Sequence, residues 1–422
     1  MTPTMNVLYI DHYAGSETLG MEFRPFYLAH EWRRAGIDTT ILAADYSHLR
    51  SHNPDIGEDL EEKVIDGVRF CFLRTRHYHG NNFDRILSMA QFVQKGMKAA
   101  DELIRRYQPD VVICSSTYPM DTWIGQKIKR KSGAMLIHEI HDLWPLSPRL
   151  LGGYSKHHPF IAAMQVAEDS AYRQSDCIVS VLPNVKPYIQ SRGFTTPVIH
   201  IPNGLPPSYF KEAGTPPEVS DRVANRIQKL KEQGKFVVGY AGGISVSNAM
   251  EDLIRAMIHL KDHPEIACVV IGDGILKSEL LRLKEEQQLN GVHFEDPIPK
   301  AQVIGTLSEC DALYLGSQPS PLYEYGVSAN KIFDYLLAGR PIINAWDTEH
   351  SPMDEVGNTL KARAGDARDI ADRILEAKGL KEEERTKIYE ESRRFVREMH
   401  HYGKLSDDFR RLFRKRKEDK KS

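Results

Sequence analysis

Asn330, Lys331 and Asp334 fall in the first turns of "SANKIFDYLLAGRP" (328–341), a run whose remaining positions are mostly apolar. Asn330 and Asp334, four apart, share a helix face; Lys331 and Asp334, three apart, can meet as an ion pair. A carboxylate offers two acceptor oxygens, a match for the paired hydroxyls of a ribose, and an ammonium beside it suits phosphate charge. On an isolated helix the same residues would be a surface edge with one local ion pair. The elements that carry them decide between these readings.

The helix itself is well specified. Ser328 is the expected N-cap, Ile332, Phe333, Leu336 and Leu337 form an apolar stripe, and Gly339 followed by Pro341 is a stop signal. Around it, short β-rich apolar runs alternate with helical patterns from end to end. Strands are expected at 6–10, 39–44, 68–73, 110–115, 135–140, 177–182 and 198–202, and then at 236–241, 267–272, 292–296, 312–316 and 341–345. Continuous apolar strands separated by helices imply parallel sheets covered on both faces. The Pro- and Gly-rich stretch 201–221 reads as a linker between two doubly wound, Rossmann-like α/β domains.

Each domain opens as strand, Gly-bearing turn and helix. In the second, Gly242 and Gly243 follow the strand "FVVGYA" at once, so an anion could approach backbone amides at a helix N-terminus. The turn is not GxGxxG, and alone it reads equally as an ordinary tight connection. In a doubly wound sheet, however, ligands bind beyond the carboxyl ends of the strands. That rule brings Gly242, Gly243 and the helix after "ALYLG" to one crevice, with amides for phosphate, Asp334 for ribose and Lys331 for charge.

Composition narrows the classes further. The chain has 422 residues, 41% hydrophobic and 27% charged, with a formal net charge of -2, which disfavours a nucleic-acid-binding protein. Five scattered cysteines without a CxxC pair are expected to be reduced structural thiols. Neither a signal peptide nor an apolar run of the ~20 residues that cross a bilayer is evident, so a cytoplasmic or peripheral inner-membrane location is expected. The histidine pairs lack HExxH spacing, no metal site is expected, and no cofactor is implied. "TWIGQKIKRKSG" (122–133) reads either as a solvated helix on a sheet or as a contact with anionic membrane. In the tail, Phe409, Leu412 and Phe413 at helical spacing among Arg410, Arg411, Arg414, Lys415, Arg416 and Lys417 read as a solvated segment or an electrostatic membrane device.

Over nearly its whole length the sequence resembles retaining glycosyltransferases of family 4, with the GT-B fold. "FYLAHEWRRAGIDTTILAA", "IPNGL", "VVIGDGILKSELLRL" and "IFDYLLAGRPII" carry the general likeness. "YAGSETLGMEFRPFYLA", "SHLRS", "EIHDLWPLSP" and "SANKIFDY" resemble a bacterial subgroup that includes L-fucosamine transferases of surface-polysaccharide assembly. The resemblance implies an acceptor-side domain 1–205, completed by 395–422 through a C-terminal helix crossing back, and a nucleotide-sugar domain 206–394, the two facing a central crevice. It implies that Asp334 holds the donor ribose, with Asn330 and Lys331 beside it, and that Gly242 and Gly243 touch the diphosphate. It places His141 beside the transferred sugar, and Gly15, Ser16, Arg24 and Asp142 on the acceptor side.

Two departures stand out. The first acid of the family's E-x7-E motif would fall at Gly326, so Glu324 is expected to replace it, and no Lys or Arg follows the Gly242 turn, so Lys331 is expected to supply that charge. The implied activity is transfer of an N-acetylated amino sugar from a UDP-linked donor to a lipid-linked saccharide, with retention and without an obligatory divalent ion. A nucleotide-sugar epimerase of the same fold and a non-catalytic GT-B partner are the rival readings.

Overall fold

The computed structural model describes residues 5–21, 23–80, 82–210, 217–357 and 359–419. The chain divides into two compact units: Met1–Asn203 with Tyr402–Ser422, and Gly204–His401. Each is an α/β layer structure built on one sheet.

The first unit holds eight strands: β1 (Asn6–Ile10), β2 (Asp38–Ala44), β3 (Glu61–Ile65), β4 (Val68–Leu73), β5 (Val111–Cys114), β6 (Met135–Ile140), β7 (Cys177–Ser180) and β8 (Val198–His200). Their order is β3-β4-β2-β1-β5-β6-β7-β8, and every pair is parallel except β3 with β4. Alternate residues of β1 feed two separate cores, Val7 and Tyr9 to one face and Leu8 and Ile10 to the other. That is why the strand reads as a continuous apolar run.

On the Tyr9 face, helix Arg24–Arg34 contributes Trp32, fully buried against Phe409 and Phe413 at ring separations of 5.4 Å each. These come from the C-terminal helix Tyr402–Asp419, which therefore belongs to the first unit's core. The apolar stripe of the tail is thus packing surface, neither solvated nor free to enter a membrane. On the opposite face, helix Thr122–Ser132 buries Ile124 and Ile128 in the sheet core, while Lys129 and Lys131 pair with Asp176 and Asp101 at 2.9 and 2.6 Å. Its local geometry is that of a solvated helix on a sheet.

The second unit holds β9 (Phe236–Ala241), β10 (Ile266–Ile271), β11 (Val292–Glu295), β12 (Ala312–Gly316), β13 (Ile342–Ala345) and β14 (Thr359–Lys361). The order is β11-β10-β9-β12-β13-β14, parallel throughout. All strands read from the sequence form, displaced by no more than two residues at an end. The additions, β3 and β14, are sheet edges: "EEKVI" opens on three charged residues before Val64 and Ile65, and "TLK" is three residues long, so neither makes an apolar run. The five cysteines are buried and unbridged. Among the described residues no helix is long and apolar enough to cross a membrane.

Candidate functional site

Two adjacent turns at the carboxyl edge of the second sheet are laced together. After β9, the Gly242 amide donates to the Ile271 carbonyl at 3.0 Å and the Ile244 amide to Asp273 at 2.8 Å. The approach is so close that a Cβ on Gly272 would lie 2.0 Å from the Gly242 carbonyl oxygen. Glycine is required there by contact with backbone, which cannot move aside as a side chain can.

Lys331 reaches this turn. Its ammonium donates to Asn248 Oδ1, sits 5.5 Å from the centroid of the Tyr240 ring, and would be 3.7 Å from a Cβ on Gly242. Asn248 in turn donates to the Gly243 carbonyl at 2.8 Å, and the Tyr240 hydroxyl donates to the same oxygen at 2.7 Å. Gly242, Gly243 and Lys331 are therefore gathered at one place. Burial pushes the Lys331 ammonium down to about 8, against the pull of Asp334.

Asp334 lies on the same helix, Asn330–Ala338, which is fastened to the sheet where the Ala241 amide donates to Tyr335 Oη at 2.8 Å. The carboxylate is buried, with a side-chain exposure of 4%. Its ion-pair partner is Lys300, the first residue of helix Lys300–Ser308, and not Lys331, which has turned to Asn248. Lys300 binds Oδ2, while Oδ1 has no hydrogen-bond partner among the described residues. Burial raises the Asp334 carboxyl, with Lys300 and then Lys331 drawing it back. A desolvated carboxylate with one uncommitted oxygen is a receptor for a hydroxyl donor.

The neighbouring expectations resolve differently. The helix is preceded by Ala329 in extended conformation with no side-chain cap, so Ser328 lies one residue too early to be the N-cap. Asn330 is exposed at the first helical position, and Glu324 is exposed on a single 3-10 turn, Pro321–Tyr325. Gly326, at the register of the missing acid, has φ 90°, a conformation that L side chains rarely adopt. A glutamate at that register would therefore sit in a strained backbone.

In the first unit a polar network runs through the carboxyl ends of three neighbouring strands. Glu139 of β6 is fully buried, ion-paired with Arg24 at 2.9 Å, and accepts from the Tyr9 hydroxyl and from Ser115 Oγ, the latter at 2.6 Å. His141 Nε2 lies 2.7 Å from Ser115 Oγ and 3.4 Å from Glu139 Oε2. Burial alone would raise the Glu139 carboxyl, but the Arg24 guanidinium, with His141 and Ser115, holds it well below the usual carboxylate range. The one Ser115 proton therefore goes to the carboxylate, and the hydroxyl oxygen accepts from His141 Nε2–H.

Arg24 also donates to the Ile201 and Pro202 carbonyls, at 2.9 and 2.6 Å, so it acts as a buried strut. Asp142 accepts from the Leu143 amide at 2.8 Å, from Trp144 Nε1 at 3.2 Å and from Ser147 Oγ, and so shapes the turn after β6. Ser16 is buried and accepts from the Leu19 amide at 3.2 Å, while a Cβ on Gly15 would lie 1.8 Å from the Met21 carbonyl oxygen. Arg50 of "SHLRS" braces the same loop by donating to the Ala14 carbonyl at 2.9 Å. Two of the long sequence phrases are thus one packed substructure.

Residues 20–209 match the family described as Glycosyltransferase Family 4, and residues 235–378 match Glycosyl transferases group 1. The chain also superposes on HepE of Anabaena, solved with UDP and glucose, at TM-score 0.65 and 14% identity, covering 97% of this chain and 100% of that one. The chain is a GT-B glycosyltransferase by fold and domain content. A glycosyltransferase of Rickettsia africae gives TM-score 0.67 at 13% identity over 98% of both chains. The E. coli trehalose-6-phosphate protein bound with UDP-2-fluoro glucose gives 0.70 at 11%, over 96% of this chain and 98% of that one. No curated protein sequence matches this glycosyltransferase.

Three residues of its sites escaped the sequence reading: Lys300, Ser115 and Glu139. Lys300 opens the helix after β11, so the rule that ligands bind beyond the carboxyl ends of the strands points to it as well.

Proposed function

We propose that the protein transfers an N-acetylated amino sugar from a UDP-linked donor to a lipid-linked saccharide in surface-polysaccharide synthesis, with retained anomeric configuration. The carrying observation is the buried Asp334 carboxylate, one oxygen uncommitted, on the same helix as a lysine that reaches a glycine turn. HepE, similar in fold, is solved with UDP-glucose, which supports the same donor class. The amino sugar, the lipid-linked acceptor and retention rest on the phrases shared with the L-fucosamine transferase subgroup.

In this reading Asp334 binds the ribose, and Lys331 with the turn amides takes up the charge of the departing diphosphate. Electrostatic stabilisation of that leaving group is the dominant catalytic contribution. His141, held in its Nε2–H form, serves the transferred sugar, and Glu324 and Asn330 remain accessory candidates. The enzyme works at the inner face of the cytoplasmic membrane, where such acceptors are presented.

Cell extract incubated with pooled nucleotide sugars and scanned by mass spectrometry should yield a glycosylated lipid only with active protein, and NMR of the new linkage should report its anomer. Asp334→Ala should abolish product and weaken nucleotide binding at least roughly tenfold, since hydrogen bonds to charged groups contribute about 1.5–3 kcal/mol each. Turnover of a nucleotide-sugar without acceptor would instead indicate an epimerase.

A further inference from the structure

We propose that Lys300 is a ribose-recognition residue, and that the Lys300–Asp334 pair, rather than the carboxylate alone, reads the two hydroxyls. This rests on the nucleotide-sugar reading above. One Asp334 oxygen is engaged by Lys300 and the other has no partner among the described residues. Oδ1 is closed to solvent as well as unpartnered, so once a ribose displaces the atoms that cover it, that oxygen accepts directly from one hydroxyl while Lys300 keeps Oδ2. The second hydroxyl of a cis-diol then meets the Lys300 ammonium, which has three protons to donate and accepts none. Its oxygen accepts from Nζ, and its own proton can reach Oδ2. The result is a two-point receptor of fixed polarity, an acceptor beside a donor.

Lys331 cannot play this part while it is bonded to Asn248 and laid over Tyr240. Lys300 is suited to it because its side chain is 45% exposed although the carboxylate it holds is buried, so a ligand can reach the ammonium. It comes from a different element, at the start of the helix after β11, and so can adjust without moving the Asp334 helix. The alternative is that Lys300 only neutralises a buried carboxylate. The two differ in what they predict for nucleotides lacking a single hydroxyl.

The test is calorimetric binding of uridine and guanosine diphosphates, and of their 2′-deoxy and 3′-deoxy forms, to the full chain and to Lys300→Met and Lys300→Arg. The intact protein should prefer the ribose form of its nucleotide over each deoxy form by at least roughly tenfold, as sites built around a hydroxyl do. Lys300→Met should bind that ribonucleotide about tenfold more weakly and lose the discrimination at one hydroxyl while keeping it at the other. Lys300→Arg, which keeps a donor, should retain most of both. Unchanged discrimination at both hydroxyls in folded Lys300→Met overturns the proposal and leaves the nucleotide reading standing. If Lys300→Met fails to fold, loss of binding by folded Lys300→Arg with both deoxy ratios unchanged has the same force. Failure of the intact protein to bind either nucleotide overturns both.

Discussion

Ser115 Oγ lies 2.7 Å from His141 Nε2. Because Glu139 takes the serine proton, the imidazole is held with hydrogen on Nε2, which makes Nδ1 its acceptor nitrogen. Nitrogen-15 shifts of His141 should therefore report the Nε2–H tautomer, and Ser115→Ala should mix the two forms. With a catalytic role for His141, kcat should fall roughly 10–100-fold while nucleotide affinity stays unchanged. Ser115→Thr, which keeps the hydroxyl, should restore the tautomer. An unaltered spectrum in Ser115→Ala would remove the serine from this role.

Arg24→Met leaves Glu139 buried without its cation and should cost about 3–5 kcal/mol in denaturant unfolding. The acid limb should change too. Glu139's carboxyl is lower when folded than unfolded, so its stabilisation is complete above the ordinary carboxylate range and is lost as pH falls through the folded value. The variant should show a shallower loss of stability on acidification than the parent.

The lowered Lys331 ammonium makes diphosphate binding pH-dependent. Below about 8 the free protein already carries the charge; above it, binding must take up a proton, and affinity should fall by up to roughly tenfold per pH unit. Calorimetry in buffers of different ionisation enthalpy should detect the proton uptake, and Lys331→Met should abolish both the uptake and the slope.

Gly326→Glu restores the spacing of the E-x7-E motif on paper but places a side chain at φ 90°. It should lower stability by about 1–3 kcal/mol and raise no activity. A gain in turnover would mean that the loop can adopt the usual backbone.

Phe413→Ala should destabilise the protein by about 3–5 kcal/mol, since the ring is buried against Trp32. Membrane attachment is better tested by replacing Arg410, Arg411 and Arg414 with Gln, which spares that contact. Weaker sedimentation with anionic vesicles, most marked at low salt, is the expected outcome.

The legible parts of the sequence were those with a local signal. Parallel strands announce themselves as apolar runs, and Asp334 and Lys331 announced themselves as polar residues on an apolar helix. Pairings between distant segments have no such signal. Arg24 and Glu139 are separated by 115 positions and Lys300 and Asp334 by 34. Each pair exists because two elements meet at one sheet edge. Lys331 and Asp334 stand at i,i+3 spacing and could meet, but tertiary packing turns Lys331 to Asn248 instead.

The helix Tyr402–Asp419 also bears on how the protein is made. The second unit is one continuous stretch, Gly204–His401, whereas the first needs its opening residues and the segment from Tyr402 onward. A ribosome emits the latter only after the whole second unit has been translated. The second unit can thus fold during synthesis, while Trp32 waits for Phe409 and Phe413 to cover it. For that interval the nascent first unit exposes the apolar face of its opening helix, and there a chaperone would be expected to bind.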